Sequence, residues 1–233
     1  MDEIYLDDSY LWSFSAVVTQ ALDNKVILDK TAFYPQSGGQ PSDSGILECG
    51  SEIFMVAGAE KIEEGTVHIL DRPGLKTGDA VTGKIDGDRR HRFMRSHTAC
   101  HILSAVIFQE TGAKITGNQI ELSRSRVDFS LESFDKSRMV EYVEKANQIV
   151  AEGRPVSTRI ISREEALDMP DLLRLAMAVP DRDAIRVVEI EGIDRQACGG
   201  THVKNTAEVG RIRMLKAENK GKANRRIYFS LED

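Results

Sequence analysis

Asp88-Arg-Arg-His-Arg-Phe-Met-Arg-Ser-His-Thr-Ala-Cys-His-Ile-Leu-Ser-Ala-Val-Ile-Phe-Gln-Glu110 is where the chain changes character. Phe93, Ala99, Ile102, Leu103, Val106 and Ile107 recur at helical spacing, and Gly112 supplies the stop. The residues before Asp88 read as β. Ser15 to Leu28 is apolar and β-branched and breaks at Asp23-Asn24, a hairpin signal. Gly38-Gly39, Pro41, Gly45, Gly50, Gly58, Gly65, Pro73-Gly74, Gly78 and Gly83 then punctuate the chain at short intervals. Short strands between frequent turns predict a small β-barrel over residues 1–87.

Beyond the helix, Ile120 to Leu131 reads as a strand. Ser133 to Val150 reads as a second amphipathic helix, with Met139, Val143, Ala146 and Val150 on its stripe and Gly153-Arg-Pro155 as its stop. Val156 to Ile161 is a further strand. Ser162-x-x-Glu165 is a capping box that opens a short helix before Pro170. Ile185 to Ile190, Val209 to Leu215 and Arg226 to Leu231 complete the strand pattern. Helices interspersed with hairpin-like strands predict an α+β domain over residues 88–233, rather than a doubly wound sheet.

With 233 residues, 41% of them hydrophobic, the chain is long enough for two modest domains with real cores. Its formal net charge of −6 does not advertise a polyanion partner for the surface as a whole. Two basic clusters stand against that average. One is Arg89, Arg90, Arg92 and Arg95; the other runs from Lys204 to Arg226, with eight Lys/Arg against two Glu. Three unevenly placed cysteines make no disulfide framework, which points to a reducing cytoplasm. The acidic start (Asp2, Glu3, Asp7, Asp8) is wrong for a signal peptide, and no apolar run approaches the ~18 residues of a membrane span. The expectation is a cytoplasmic protein with no membrane contact, and no obligate protein partner is evident.

The chemistry lies in two pairs of residues, His97-x-x-x-His101 and Cys198-Gly-Gly-Thr-His202. On a helix, His97 and His101 project from one face one turn apart and can share an ion. Gly199-Gly200 disfavours helix, so the second pair needs a tight loop that folds both donors back onto one point. Three imidazoles and a thiolate form a zinc ligand set in preference to one for magnesium or calcium. Cys100 and His91 compete as ligands. Matching the spacing of the two pairs favours His101, leaving Cys100 as a small buried hydrophobe and His68 and His91 as ordinary surface histidines. No Glu lies between His97 and His101, so the metalloprotease pattern is absent.

Arg95-Ser-His-Thr-Ala-Cys-His101 together with Cys198-Gly-Gly-Thr-His202 resembles the editing domain of alanyl-tRNA synthetase. Phe33-Tyr-Pro-Gln-Ser-Gly-Gly-Gln-Pro-Ser-Asp-Ser-Gly45 resembles the Gly-rich segment that precedes it. The motifs stand in family order over nearly the whole chain, without an aminoacylation module or an oligomerisation extension. The resemblance therefore implies a free-standing alanyl-tRNA editing protein of the medium-length AlaX type. It implies a β-barrel joined to an α+β editing domain shared with threonyl-tRNA synthetase. It also implies Zn2+ as cofactor and mischarged tRNA(Ala) as partner, with ester hydrolysis of seryl-tRNA(Ala) foremost and glycyl-tRNA(Ala) as a second candidate.

The resemblance points to Thr116, in Gly112-Ala-Lys-Ile-Thr116-Gly, as the residue that recognises the serine hydroxyl. A pocket built to hydrogen-bond that hydroxyl rejects alanine, because its own polar group would be left unpaired. Thr116 reads equally as a strand-start residue. In Ser37-Gly-Gly-Gln40 the resemblance places Gly38, Gly39 and Gln40 toward the acceptor end of tRNA, with Gln40 as a catalytic candidate; the alternative is a simple barrel turn. Arg89, Arg90, Lys216, Lys220, Lys222, Arg225 and Arg226 are the candidate phosphate contacts. Two rival readings stay open: a non-catalytic tRNA-binding module with structural zinc, and a zinc hydrolase of small esters or amides.

Overall fold

A computed structural model describes residues 2–132, 135–169, 172, 183–221 and 223–232. The chain divides into two compact units, Met1–Phe93 and Met94–Asp233. The division falls within the helix whose start the sequence reading took as the domain boundary.

The first unit is built on a closed barrel. Its strands are β1 (Asp2–Glu3), β2 (Ser13–Leu22), β3 (Lys25–Leu28), β4 (Lys30–Thr31), β5 (Gly45–Cys49), β6 (Glu52–Ile62), β7 (Gly65–Leu70) and β8 (Ala80–Ile85). Six of them close in the order β2-β3-β7-β6-β5-β8, while β1 and β4 form a short parallel pair. Alternation drives the closure. Along β2, Phe14, Ala16 and Val18 are buried, and Ser13, Ser15 and Val17 face outward. The inward residues meet Leu28, Phe33, Leu47, Phe54 and Val56 in one apolar core.

Two polar groups inside this unit overturn sequence expectations. His68 is not a surface histidine; it is fully buried. Its Nε2 lies 2.8 Å from the Thr31 hydroxyl and its Nδ1 lies 3.2 Å from the Val26 carbonyl. Arg90, expected as a phosphate contact, has no solvent exposure at all. Its Nε donates to both Asp43 carboxylate oxygens at 2.8 and 3.0 Å, and its Nη1 donates to the Ser9 carbonyl at 3.0 Å. Nη2 donates to the Ala32 carbonyl at 2.6 Å and to Asp43. Asp43 also accepts the Tyr34 N–H at 2.6 Å. A buried guanidinium needs this complete set of acceptors, because an uncompensated interior charge is strongly destabilising.

The helix α1 (Gly87–Thr111) begins in the first unit and ends in the second, where Gly112 adopts a positive φ of 72°. The expected single strand Ile120–Leu131 is instead a hairpin, β9 (Ile115–Ile120) and β10 (Ser125–Phe129). Its turn was missed because Glu121 to Arg124 carries no Gly or Pro punctuation. Next come α2 (Lys136–Glu152), β11 (Val156–Ser162), α3 (Arg163–Leu167), β12 (Ala184–Ile190), β13 (Asp194–Ala197), β14 (Arg211–Asn219) and β15 (Arg225–Glu232). Asp135 caps α2 through the Ser137 N–H, and Gly153 ends it in the left-handed region. Ser162 caps α3 through the Glu165 N–H, as its sequence pattern anticipates.

Two sheets result, one ordered β14-β15-β10-β9 and the other β11-β12-β13. Val127, Phe129, Ile212, Ile227 and Phe229 on the four-stranded sheet are buried, as are Met139, Val143 and Ala146 of α2. Asn147 of α2 brackets one residue of β14, accepting the Ile212 N–H at 2.8 Å and donating to its carbonyl at 2.9 Å. The molecule is α+β, with a closed barrel and few helices. Among the described residues, no helix is long and apolar enough to cross a membrane.

Burial pushes the His68 pKa down to about 4 from 6.5, and the Val26 carbonyl offsets only part of that. The unfolded chain therefore binds a proton first as pH falls. Stability from the neutral ring is complete above pH ~6.5 and is lost as pH drops toward ~4, at about 1.4 kcal/mol per unit and about 3 kcal/mol in all. Urea unfolding between pH 7 and pH 4 is expected to show this extra loss in the native protein and to lack it in His68→Gln. Parallel pH profiles for the two proteins would contradict the assignment.

Candidate metal centre

His97 and His101 lie one turn apart on α1 and are both buried. Cys198 and His202 come from the loop that leaves β13. That loop is shaped by specific partners. The Cys198 N–H donates to the Arg186 carbonyl at 3.0 Å, prolonging the pairing of β12 with β13. The Arg186 guanidinium donates through Nη1 to the Cys198 and Gly200 carbonyls at 2.8 and 2.9 Å, so one side chain staples both sides of the turn. The Gly200 N–H points to Cys198 Sγ at 3.4 Å. Gly200 is required by space: a Cβ there would lie 2.1 Å from His97 Cε1. Gly199 has nothing within 4 Å of an added Cβ.

The result is a cluster of His97, His101, Cys198 and His202 whose ligand atoms all lie within 4.8 Å of one another. Cys198 Sγ is 3.6 Å from His97 Nε2 and 3.4 Å from His202 Nε2. The His97 and His202 ring centroids are 4.4 Å apart, and those of His101 and His202 are 4.6 Å apart. Two of the rings are held from behind. His101 Nδ1 lies 2.9 Å from Asp194 Oδ2; a carboxylate only accepts, so Nδ1 carries a proton and Nε2 is the nitrogen that faces the cluster. His202 Nδ1 lies 3.1 Å from the Thr98 hydroxyl, which also accepts the Val203 N–H at 3.4 Å. The Gln196 amide donates to the same Asp194 oxygen at 2.9 Å and fixes it in turn.

The protonation states suit ligation. Burial alone would push the Cys198 thiol up, but the charges of His97 and His202 and hydrogen bonds from His101 and His202 bring it well below its usual value. Burial, then the charge of His97, lowers His202 well below the ordinary histidine range. Burial also disfavours charge on His101, yet its bonds to Asp194 and Cys198 push it up to about 10. A thiolate beside neutral imidazole is the state that binds a cation, and binding displaces the remaining proton. Three ring nitrogens and one sulfur, with outer partners in place, could hold one metal ion.

Cys100 is buried outside this set, and burial raises its thiol pKa, as expected of an apolar residue. His91 is half-buried, 6.2 Å from the Tyr10 ring. Asp194, Thr98, Gln196 and Arg186 were missed in the sequence. Thr98 stands inside the His97–His101 motif, but an acid eight residues from His202 has no spacing that would mark it.

The other expected site residues fall into separate places. Ser37 and Gln40 pair antiparallel, with mutual backbone hydrogen bonds of 3.1 and 2.8 Å. Gly38 and Gly39 between them have φ of 56° and 79°, the two-residue turn that glycine adopts without strain. Gln40 is fully buried, so this loop exposes glycine backbone rather than the Gln40 side chain. Arg89 is half-buried, its guanidinium 4.7 Å from the Phe93 ring and bonded to the Ser42 carbonyl at 3.3 Å. Thr116 is exposed on β9, where the register skips it between Gly117↔Asp128 and Ile115↔Phe129, leaving it at a bulge.

Arg225, expected as a phosphate contact, is buried instead. It donates to Asn219, the Gly221 carbonyl and the Asn224 carbonyl at 2.9, 2.6 and 3.0 Å. Its work is closing the β14–β15 turn. Lys216 and Lys220 reach Glu218, and Arg226 reaches Asp128. Lys222 lies outside the described residues.

Residues 10–89 match the model for tRNA synthetases class II (A), and residues 185–228 match that for the threonyl and alanyl tRNA synthetase second additional domain. The alanyl-tRNA editing protein AlaX-M of Methanosarcina barkeri is 47% identical, over 100% of this chain and 99% of its own. That of Saccharolobus solfataricus is 43% identical, over 99% of each. This chain belongs to the alanyl-tRNA editing protein family. It is also 36% identical to a quarter (25%) of the alanine–tRNA ligase of Thermococcus kodakarensis, so the family's unit has a counterpart inside a longer synthetase.

The packing of His97 against Gly200 gives a matched test of the centre. Gly200→Ala is expected to lose bound metal, measured as metal per chain after dialysis against zinc, whereas Gly199→Ala keeps it. Equal metal content in the two variants would contradict this packing.

Proposed function

We propose that the protein hydrolyses the ester of mischarged tRNA(Ala), seryl-tRNA(Ala) foremost and glycyl-tRNA(Ala) second, at a zinc site formed by His97, His101, Cys198 and His202. The observation that carries the reading is the convergence of these four donors, with His101 and His202 oriented from behind, in a chain of the editing family. The thiolate and imidazole set suits zinc over magnesium or calcium. When bound, zinc supplies Lewis acidity that makes an ester carbonyl a better electrophile and water a better nucleophile.

The protein residues then have separate tasks. Asp194 and Thr98 engage the Nδ1 atoms of two imidazoles and leave Nε2 facing the cluster. Thr116, exposed at its bulge, is the residue we assign to the serine hydroxyl. A second reading has an observation of its own in its favour: the cluster offers four protein donors, the number that a structural zinc would take. In that case the protein binds tRNA without catalysis.

Incubating the zinc-loaded protein with seryl-tRNA(Ala) and alanyl-tRNA(Ala) separates the readings. Serine release well above the spontaneous rate, with alanine spared and with His101→Ala inactive, is the expected outcome. Release of neither amino acid leaves the structural reading standing. For Thr116→Val, the preference for serine over alanine is expected to fall about tenfold or more, because the hydroxyl then meets no hydrogen-bonding partner. Unchanged discrimination in that variant would locate the recognition elsewhere.

A further inference from the structure

We propose that the outer face of the four-stranded sheet β14-β15-β10-β9 docks the ribose-phosphate backbone of the substrate RNA. The proposal rests on the tRNA reading above. One face of this sheet is apolar, and the cross-strand register decides what stands on the other. Arg126 lies opposite both Gln119 and Tyr228, Asp128 opposite Arg226, Tyr228 opposite Lys216, and Arg226 opposite Glu218. Directly opposed residues share a face, so these side chains form one band across all four strands. Arg124, in the β9–β10 turn, extends it.

The band is unlike an ordinary salt-bridged surface. In each ion pair the carboxylate lies deeper than the cation it holds. The Asp128 side chain is 8% exposed against 25% for Arg126, and that of Glu218 is 21% against 64% for Lys216. Glu121 beneath Arg124 and Asp128 beneath Arg226 follow the same order. The acids therefore act as struts under the positive heads and leave them facing outward. Five cations (Lys220 included) stand over three carboxylates, on a chain whose net charge is −6.

Geometry narrows the partner further. Arg124 and Arg226 lie 5.8 and 5.7 Å from the centre of the Tyr228 ring, within reach of its face. Arg126, Arg226 and Tyr228 line a recess of about 200 Å³ together with Gln119, Glu121 and Arg124. Guanidinium groups held in place bind phosphate with both prongs, at less entropic loss than free ones. A-form RNA offers a wide, shallow minor groove flanked by phosphates, which suits a broad, positively studded sheet face. The sequence pointed to Lys216, Lys220 and Arg226. Arg124 and Arg126 entered only through strand pairing.

The test uses the full zinc-loaded protein and uncharged tRNA(Ala), with binding followed across a salt series. The variant reverses Arg124→Glu and Lys216→Glu together, both exposed and neither near the metal donors in sequence. Lys25→Glu, on a barrel strand, is the control. The double reversal is expected to weaken binding at least about tenfold and to flatten the salt slope by about one to two units, with metal content unchanged. The control should bind as the native protein does.

Binding of the double variant within twofold of native overturns the proposal. An equal loss for heparin and for tRNA also overturns it, since the patch would then recognise negative charge without RNA geometry. Serine release assayed in parallel keeps the two readings apart. Native turnover with a double variant of normal RNA affinity removes only the docking face. Salt-sensitive RNA binding through the sheet, without any turnover, removes only the hydrolase.

Discussion

His101 and His202 each have a single ring nitrogen to offer, because the other is already engaged. Asp194 takes the proton on His101 Nδ1, and the Thr98 hydroxyl meets His202 Nδ1. This division of each ring into an anchored nitrogen and an offered one sets the geometry of the centre. Without it, three imidazoles and a thiol packed within 4.8 Å would rotate to satisfy one another, and no donor atom would face a common point. The burial that makes the cluster costly also makes its electrostatics strong. Cys198 is driven toward thiolate while His101 is driven toward imidazolium, which makes the cluster a charged network.

In both units an arginine fixes a loop through several acceptors at once. Arg90 is the case in the barrel unit: Asp43, the Ser9 carbonyl and the Ala32 carbonyl take up its guanidinium. Those acceptors come from the N-terminal segment, from the residue after β4, and from the Gly-rich segment that also carries Ser37 to Gln40. The ion pair therefore pins the base of that loop, while Gly38 and Gly39 turn at its tip. Arg186 does the comparable job for the Cys198–His202 loop, with two carbonyls in place of a carboxylate. In both loops glycine permits a shape and a buried or half-buried arginine holds it.

Much of this was legible in the chain. The change of periodicity at Asp88, the Gly153 stop of α2, the Ser162 cap of α3, the barrel and the four candidate ligand residues follow from local rules: spacing, punctuation and donor chemistry. What failed were judgements about exposure. Arg90, Arg225 and His68 read as surface groups because their types are usually found there. His68 and Arg90 are buried against Thr31 and Asp43, 37 and 47 residues away, and Arg225 meets the Glu132 carbonyl, 93 residues away, besides its turn partners. The strand β13 was also missed, since Asp-Arg-Gln-Ala has no β-branched residue. It pairs because β12 presents an edge to it.

The sequence by itself determined which residues could ligate a metal and most of the helices, strands and turns, though neither β13 nor the turn between β9 and β10. These depend on side-chain chemistry and on neighbours within a few positions. Tertiary structure alone decided that Asp194 and Thr98 stand behind the imidazoles and that Arg124 and Arg126 share a face with Lys216 and Tyr228. It also turned Arg90 inward. Hydrogen bonds and strand register join residues a hundred positions apart, and a linear pattern carries no mark of which distant partner will arrive. Folding brings those partners together, and with them come the orientation, burial and charge on which the chemistry depends.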